Sequence, residues 1–195
     1  MKRIVLTFGL ISGAIMSVLM LSTVPFMHKI GFNRGMVIGY TTMVLAFLLV
    51  FFGIRSYREN VGNGYVSFGR ALSVGLLIML ITCAFYVLTW EFVYFNFMPD
   101  FAEKYGAFML ENMRAAGASA QEIAAKAEEM KRFKVLYDNI FFNVAMTFLE
   151  PLPVGLIMTF ISALILRRKR GQDLQDAQDG VKTNLVHQEN PVNPV

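Results

Sequence analysis

The sequence is poor in the side chains from which most catalytic and metal sites are built. In 195 residues it contains one cysteine, Cys83, and two histidines, His28 and His187. A single cysteine excludes a disulfide framework within the chain and a cysteine-based zinc site. The histidines are far apart and outside the apolar runs, so we do not expect them to bind a metal. With no Ser/His/Asp arrangement and no phosphate-binding glycine loop, we expect no metal, no cofactor and no enzyme.

Charged residues are also scarce. They make up 16% of the chain against 55% hydrophobic residues, and the mean hydropathy is +0.50. Soluble domains usually contain about a quarter charged residues, so this composition is typical of a membrane protein. The net charge of +4 does not indicate nucleic-acid binding, because the cations lie beside apolar runs. That position is typical of residues that orient a chain in a lipid bilayer.

Four apolar stretches are long enough to cross a bilayer, which takes about twenty residues. A cleaved signal peptide is the alternative for the first stretch, but its apolar core would be shorter and would end at a small-residue cleavage site. We therefore predict an all-α, polytopic transmembrane domain over residues 1–170. The predicted spans are residues 4–24, 35–54, 71–97 and 140–166.

Clusters of positive charge alternate with the predicted spans. Cations in short loops remain in the cytoplasm, so we expect both termini to be cytoplasmic. For the cations of the loop between the second and third spans, binding to anionic lipid headgroups is an alternative role. The cations that set this topology are Arg55, Arg58, Arg70, Arg167, Arg168, Lys169 and Arg170.

Residues 99–139 form a predicted insertion on the opposite, extracytoplasmic side. Gly117 is a stop signal, and Ser119 with Glu122 three residues later is the signature of a capping box at a helix start. We expect two short helices, over residues 100–115 and 121–138, that close the bundle as a hairpin; a ligand-binding cap is the alternative.

The last part of the chain, residues 171–195, is polar and contains prolines. It cannot bury enough apolar surface to fold alone, and we expect a disordered cytoplasmic tail.

Small residues recur at four-residue spacing in the predicted spans. Side chains of this size let helix backbones approach closely. Packing within the chain is the favoured role, and homodimerisation is the alternative. The residues concerned are Gly9, Gly13, Gly35, Gly39 and Gly155.

Three aromatic residues, Tyr86, Trp90 and Tyr94, are also spaced four apart, near the outer end of the third span. Amphipathic rings favour the headgroup region of a bilayer. We therefore interpret these three residues as an aromatic belt rather than as a cofactor site.

Two carboxylates, Glu91 and Glu150, lie within the predicted spans. Such groups usually face a cavity or a partner, so our hypothesis is that both line a polar pocket that binds a proton or a cation. The alternatives are that Glu91 reaches the interface and that Glu150 caps an inner half-helix. Pro151 and Pro153 favour the cap, because each removes an N–H donor and disfavours helical geometry in the preceding residue. We expect a helix break at "LEPLPVG".

The segments "FFGIRSYREN", "GYVSFGRAL", "YVLTWEFVY" and "EPLPVGLIMTFISALILRRK" together resemble an uncharacterised bacterial membrane family, domain of unknown function 4199, of Bacteroidetes-type bacteria. The resemblance covers residues 1–170. It implies a four-helix protein of the bacterial inner membrane with an extracytoplasmic helical insertion, and it implies no activity or catalytic residue.

Two functional classes follow. The first is a structural or accessory subunit that packs against the bilayer and against a second copy or another membrane protein. The second is a small transporter or channel in which Glu91 and Glu150 bind a proton or cation. Four helices seldom enclose a pathway alone, so the second class requires an oligomer.

Overall fold

A computed structural model describes residues 1–168, apart from the side chain of His28. These residues form seven α-helices and contain no β-strand. Lys169, Arg170 and the predicted tail lie outside the described residues. The helices are α1 (Lys2–Thr23), α2 (Met27–Asn60), α3 (Phe68–Phe97), α4 (Phe101–Ala115), α5 (Ala120–Tyr137), α6 (Ile140–Leu149) and α7 (Pro151–Leu166), with a short 3-10 turn, Val24–Phe26, between α1 and α2.

Four helical stretches are long and apolar enough to cross a membrane: Lys2–Phe26, Lys29–Asn60, Phe68–Phe97 and Ile140–Leu166. Each contains one of the spans predicted from the sequence. The fourth stretch joins α6 and α7. The chain is therefore all-helical, and its four apolar stretches indicate a membrane protein.

The four long stretches form a bundle in which α3 has the most neighbours. Helix α1 packs against α2 and α3, and α7 packs against the other sides of the same two helices. The core between them is made of fully buried side chains such as Phe47, Val50, Ile54 and Ile78. Many other large apolar side chains are exposed on α1, α2, α3 and α7, as expected of surfaces that face lipid.

Two glycines of α1 bring that helix close to α3. A Cβ atom built on Gly9 would lie 2.9 Å from Ile81, and one built on Gly13 would lie 2.5 Å from the ring of Phe85. On α7, a Cβ at Gly155 would lie 2.6 Å from Met79 of α3. All three glycines therefore serve helix packing inside the chain.

Helix α2 is interrupted near its start. Gly31 has φ +72° and ψ +166°, outside the helical region. A side chain is disfavoured at this φ, whereas glycine adopts it at little cost. The chain consequently changes direction at Gly31, before the long part of α2 begins.

The helix break predicted at the two prolines is present, since α6 ends at Leu149 and α7 begins at Pro151, but the predicted cap by Glu150 is not. Glu150 keeps helical geometry, with φ −66° and ψ −54°, and its side chain makes no capping hydrogen bond. The chain therefore runs on without leaving the helical region. The α-region is disfavoured before proline but not forbidden, and the interruption is one of hydrogen bonding, because Pro151 and Pro153 have no N–H to donate.

Helices α4 and α5 pack against each other as the predicted helical hairpin. Gly117 adopts φ +79° where α4 ends, as the stop signal predicts. The capping box is confirmed: Glu122 N–H donates to Ser119 Oγ at 3.3 Å, and Ser119 N–H donates to Glu122 Oε2 at 2.8 Å.

At the opposite end of the bundle, the α2–α3 loop is joined to the end of α7. Asn63 (φ +50°) and Gly64 (φ +87°) form the turn that their sequence predicts. Val66 and Arg168 then exchange two backbone hydrogen bonds, of 3.2 and 2.9 Å. We call the end of the bundle that holds this bridge the inner end, and the end that carries the hairpin the outer end.

Candidate functional site

A cavity of about 400 Å³ lies in the outer half of the bundle. Its walls come from α1, α2, α3 and α6, and residues of the α4–α5 hairpin close it from the outer end. This volume is within the range of small-molecule sites, about 300–1,000 Å³. The lining is mostly apolar and includes five methionines, Met16, Met20, Met27, Met36 and Met146.

Glu150 is the one charged residue among the described residues that line the cavity. Its Oε2 accepts a hydrogen bond from the hydroxyl of Tyr86, at 2.7 Å. Its Oε1 accepts no hydrogen bond from residues 1–168. A carboxyl group with one free oxygen thus stands in an otherwise apolar and aromatic chamber.

The three aromatic residues of α3 donate hydrogen bonds to the chain that follows α4. Tyr86 donates to Glu150, Trp90 Nε1 donates to the Tyr137 hydroxyl at 2.9 Å, and Tyr94 donates to Asp138 at 2.8 Å. Tyr86 and Tyr94 are only 8% and 2% exposed. The aromatic-belt interpretation is therefore wrong, because these rings face the protein interior and fasten α3 to α5, α6 and α7.

Phe32, just after the Gly31 interruption, connects the start of α2 with the hairpin. Its ring lies 5.8 Å from Phe101, 5.8 Å from Tyr105 and 5.0 Å from Phe108 of α4. Phe101 in turn makes an edge-on contact with Trp90, with ring centroids 4.8 Å apart. These aromatic contacts close the cavity at its outer end.

Short polar contacts fix the position of α6 beside the cavity. Asn139 caps the helix by accepting from the N–H of Phe141 at 3.0 Å. The buried amide of Asn143 donates to the Tyr137 carbonyl at 3.2 Å and accepts from Thr147 at 3.1 Å. Pro151 cannot donate to the carbonyl of Thr147 four residues earlier. Thr147 itself lines the cavity.

Tyr137 and Asp138, at the end of α5, have altered acidities. Burial raises the pKa of the Tyr137 phenol, which therefore stays protonated at neutral pH. Hydrogen bonds from Tyr94 and then Lys134 lower the pKa of Asp138. Asp138 is consequently a carboxylate at neutral pH and a strong acceptor for the Tyr94 hydroxyl.

Gly35 and Gly39 do not pack against another helix, in contrast to the prediction for them. A Cβ at Gly39 would meet nothing within 4 Å, and one at Gly35 would meet only Met27 of the same helix, at 3.4 Å. Both glycines line the cavity. Because Gly35 and Gly39 have no side chain, they leave space in the cavity. The space beside Gly9, Gly13 and Gly155 is instead occupied by side chains of α3.

The cavity has a side opening between α2 and α6. On the α6 side, Met146 lines the cavity and is 39% exposed. On the α2 side, Met36 and Tyr40 line the cavity and are each 48% exposed. We call this exposed side of the cavity, between α2 and α6, the lateral opening.

Glu91 does not line the cavity. Both of its carboxylate oxygens are buried and have no hydrogen-bond partner among the described residues. This corrects the hypothesis that the two carboxylates share one pocket, because the structure brings Glu150 alone to the chamber. It also corrects the alternative that Glu91 reaches the water interface.

The predicted topology-setting cations within residues 1–168 lie at the inner end. Arg55 and Arg58 pair with Glu59, at 2.9 and 3.3 Å. Arg168 lies over the ring of Tyr65, 6.0 Å from its centroid. Arg70 and Arg167 are exposed near the ends of α3 and α7. Among residues 1–168, no group of three or more His, Cys, Asp or Glu side chains is placed to hold a metal ion.

The four apolar helices indicate a membrane protein, and the cavity among them is of ligand size. The chain belongs to the family described as "Protein of unknown function (DUF4199)", whose family model matches residues 7–168. No curated protein and no solved structure matches the chain significantly. The family match covers every residue that lines the cavity.

Sequence reasoning singled out Glu150 but missed most of the residues around it. Tyr86 and Trp90 are at the site, although their spacing was interpreted as a lipid-facing belt. Tyr137 and Phe32 carry no local motif, because their positions depend on how the hairpin folds back over the bundle. The free space beside Gly39 is likewise a product of tertiary structure.

Proposed function

We propose that this protein is a membrane-embedded accessory protein that acts by binding and not by catalysis. Its ligand is a small amphipathic molecule that reaches the cavity from the bilayer. The observation that carries the proposal is the position of Glu150, a hydrogen-bonded carboxyl group inside an apolar chamber that opens sideways between α2 and α6. Buried ionisable groups in membrane proteins usually mark a cavity or a partner with a function.

The proposed location is the inner membrane of a bacterium, with both termini in the cytoplasm and the α4–α5 hairpin outside. The support for this orientation is the gathering of cations at the inner end. The hairpin, in contrast, balances its lysines with acids in exposed pairs such as Lys126–Glu129 and Lys131–Glu128. In this orientation the cavity lies in the extracytoplasmic half of the bilayer.

Transport of a proton or cation is the second candidate. It is favoured by Glu91, because a buried carboxyl group without a partner is costly when charged. Binding is better supported, since Glu91 does not line the cavity and the two carboxylates do not form one pathway. Proteoliposomes carrying Glu91→Gln or Glu150→Gln separate the candidates: a proton or cation flux that either substitution abolishes would favour transport.

The partner of an accessory protein would be a second copy or another membrane protein. The packing faces at Gly9, Gly13 and Gly155 are used within the chain, so the exposed surface of the α4–α5 hairpin is the proposed contact. Crosslinking in native membranes followed by mass spectrometry tests this, because it reports self-association and foreign partners together.

The binding function is tested by measuring ligand binding before and after a larger side chain is placed in the cavity. Trp90 is the single tryptophan of the chain and lines the chamber, so a brominated amphiphile that binds there quenches the whole tryptophan emission. In lipid nanodiscs we expect saturable quenching by a brominated long-chain alcohol. We expect Gly39→Leu, whose side chain projects into the cavity, to weaken this binding about tenfold, or about 1.4 kcal/mol.

Gly69→Leu is the matched control. Gly69 lies in the first turn of α3, outside the cavity, and a Cβ there would also meet nothing within 4 Å. This variant should bind as the parent protein does. Quenching that does not saturate, or equal binding by both variants, would contradict the proposed function.

A further inference from the structure

We propose that the ligand of the cavity is an amphiphile that carries one ammonium group, which pairs with the carboxylate of Glu150. This inference rests on the proposed binding function and adds the chemical class of the ligand. The apolar chain of the ligand extends from Glu150 among the methionines and leaves through the lateral opening between α2 and α6.

The charged residues of the cavity lining determine whether a positive or a negative ligand is favoured. Glu150 is the one charged residue among the described lining residues, and its hydrogen-bond donor within residues 1–168 is the neutral hydroxyl of Tyr86. A carboxylate in an apolar chamber is stable only when a counter-charge and hydrogen bonds compensate for lost hydration. An ammonium group at the free Oε1 atom supplies both the counter-charge and a hydrogen bond. An anionic headgroup would meet Glu150 with no cation to offset the repulsion.

The aromatic residues beside Glu150 also suit a cation. Tyr86, Trp90 and Tyr137 line the same chamber, and Tyr40 lies at its exposed side. The faces of such rings attract ammonium groups by about 0.5–2 kcal/mol each, and aromatic surroundings are the usual recognition site for alkylated amines. Tyr86 and Trp90 are held in place by their hydrogen bonds, at 2.7 and 2.9 Å.

The rest of the lining suits an alkyl chain. Its five methionines, from α1, α2 and α6, have flexible, polarisable side chains that adapt to irregular apolar ligands. The lateral opening lies between two apolar helices, α2 and α6, whereas residues of the hairpin and Phe32 line the outer end of the cavity. These two features favour a long-chain amine that arrives from lipid over a small water-soluble amine.

The test compares four probes on the nanodisc-embedded protein, with Trp90 emission as the readout. Three are brominated at the same chain position and differ only in the headgroup: a long-chain amine, the matched alcohol and the matched fatty acid. The fourth, tetramethylammonium, is added as a competitor and represents a soluble amine. Concentrations are expressed per mole of lipid, so that general partitioning into the disc is common to all three brominated probes.

We expect the amine to quench at a concentration at least tenfold lower than the alcohol, and the acid to be weakest. We expect Glu150→Gln to remove the preference for the amine over the alcohol. Glu91→Gln is the matched control, because it removes a buried carboxyl group of α3 outside the cavity; this variant should keep the preference.

The outcomes separate the two proposals. If none of the brominated probes quenches saturably, the binding function itself fails. If alcohol, acid and amine bind equally, or if Glu150→Gln keeps the amine preference, binding stands and the ammonium inference is overturned. If tetramethylammonium binds with the same affinity as the long-chain amine and displaces it, the alkyl chain is not required and that part of the inference is overturned. The comparison of headgroups on the unmodified protein remains decisive even if Glu150→Gln does not fold.

Discussion

The hydroxyl of Tyr94 donates to Oδ1 of Asp138 at 2.8 Å, while Lys134 pairs with Oδ2 of the same carboxylate at 3.0 Å. Tyr94 is buried in α3, and Asp138 ends α5. This contact joins the α4–α5 hairpin to the bundle one helical turn beyond the Trp90–Tyr137 bond. Together these two hydrogen bonds hold the α4–α5 hairpin against the bundle at the outer end of the cavity.

Asp138→Asn is expected to destabilise the protein by about 1 kcal/mol, which is below the range of about 1.5–3 kcal/mol for a hydrogen bond to a charged group because Asp138 is partly exposed. The folded-state pKa of Asp138 lies below its ordinary value of 3.8. The stabilisation is therefore fully present above pH 3.8 and is lost as the pH falls through the lower folded-state value. Thermal unfolding of both proteins across this pH range measures the difference.

Asp100→Asn is the control for that experiment. Asp100 pairs with Lys104 at 2.7 Å on the exposed surface of α4, in the same spacing of four residues, but receives no hydrogen bond from a buried tyrosine. Its loss should cost only a few tenths of a kcal/mol. A pH-independent difference between Asp138→Asn and the parent protein would refute the role of the carboxylate.

Alanine at Gly13 and alanine at Gly39 are expected to have opposite effects. The new Cβ at position 13 would lie 2.5 Å from Phe85, so α1 and α3 must move apart, at a cost of about 1–3 kcal/mol. The new Cβ at position 39 meets nothing within 4 Å, and alanine there gains about 0.5–1 kcal/mol of helix propensity. Midpoints of thermal unfolding should fall for Gly13→Ala and not fall for Gly39→Ala; the reverse order would contradict the packing of α1 on α3.

The orientation is testable with single cysteines in a Cys83→Ala background. Asn112 of α4 and Val61 of the α2–α3 loop are both exposed but lie at opposite ends of the bundle. On intact cells, a membrane-impermeant maleimide should label Asn112→Cys, and it should label Val61→Cys only after the cells are opened. Labelling of position 61 from outside would reverse the proposed topology, and with it the side from which the cavity is covered.

Ser119→Ala should loosen the start of α5. The Ser119 side chain accepts from the N–H of Glu122, and loss of such a cap costs about 1 kcal/mol. Amide hydrogen exchange should accelerate in the first turn of α5 while α3 is unaffected. Ser73→Ala is the control, because Ser73 only donates to a carbonyl of its own helix, that of Gly69. Unchanged protection in α5 would show that packing on α4, and not the cap, sets its stability.

The four spans and the hairpin could be predicted because each depends on local features. Runs of apolar residues specify membrane helices, and the Ser119–Glu122 box and Gly117 delimit α5 and α4 through backbone chemistry alone. The prolines also predicted the break between α6 and α7, but not the backbone geometry of Glu150. The rule for a residue before proline describes the backbone conformation that an isolated residue prefers, whereas the folded bundle holds Glu150 in helical geometry.

The candidate site could be predicted only in part, because its geometry is non-local. Tyr86 and Glu150 are 64 residues apart in the chain, and Trp90 and Tyr137 are 47 apart. A spacing of four residues shows that Tyr86, Trp90 and Tyr94 share a face of α3, but it does not show whether lipid or protein covers that face. Whether a glycine packs against a neighbouring helix, as Gly13 does, or lines the cavity, as Gly39 does, also depends on tertiary structure.

The backbone bridge between Val66 and Arg168 limits how the bundle can deform. It ties the loop that joins α2 to α3 to the end of α7, far from the chamber. The bridge therefore holds the inner ends of α2, α3 and α7 together without any side chain taking part, so non-proline substitutions at Val66 or Arg168 leave its two backbone bonds available.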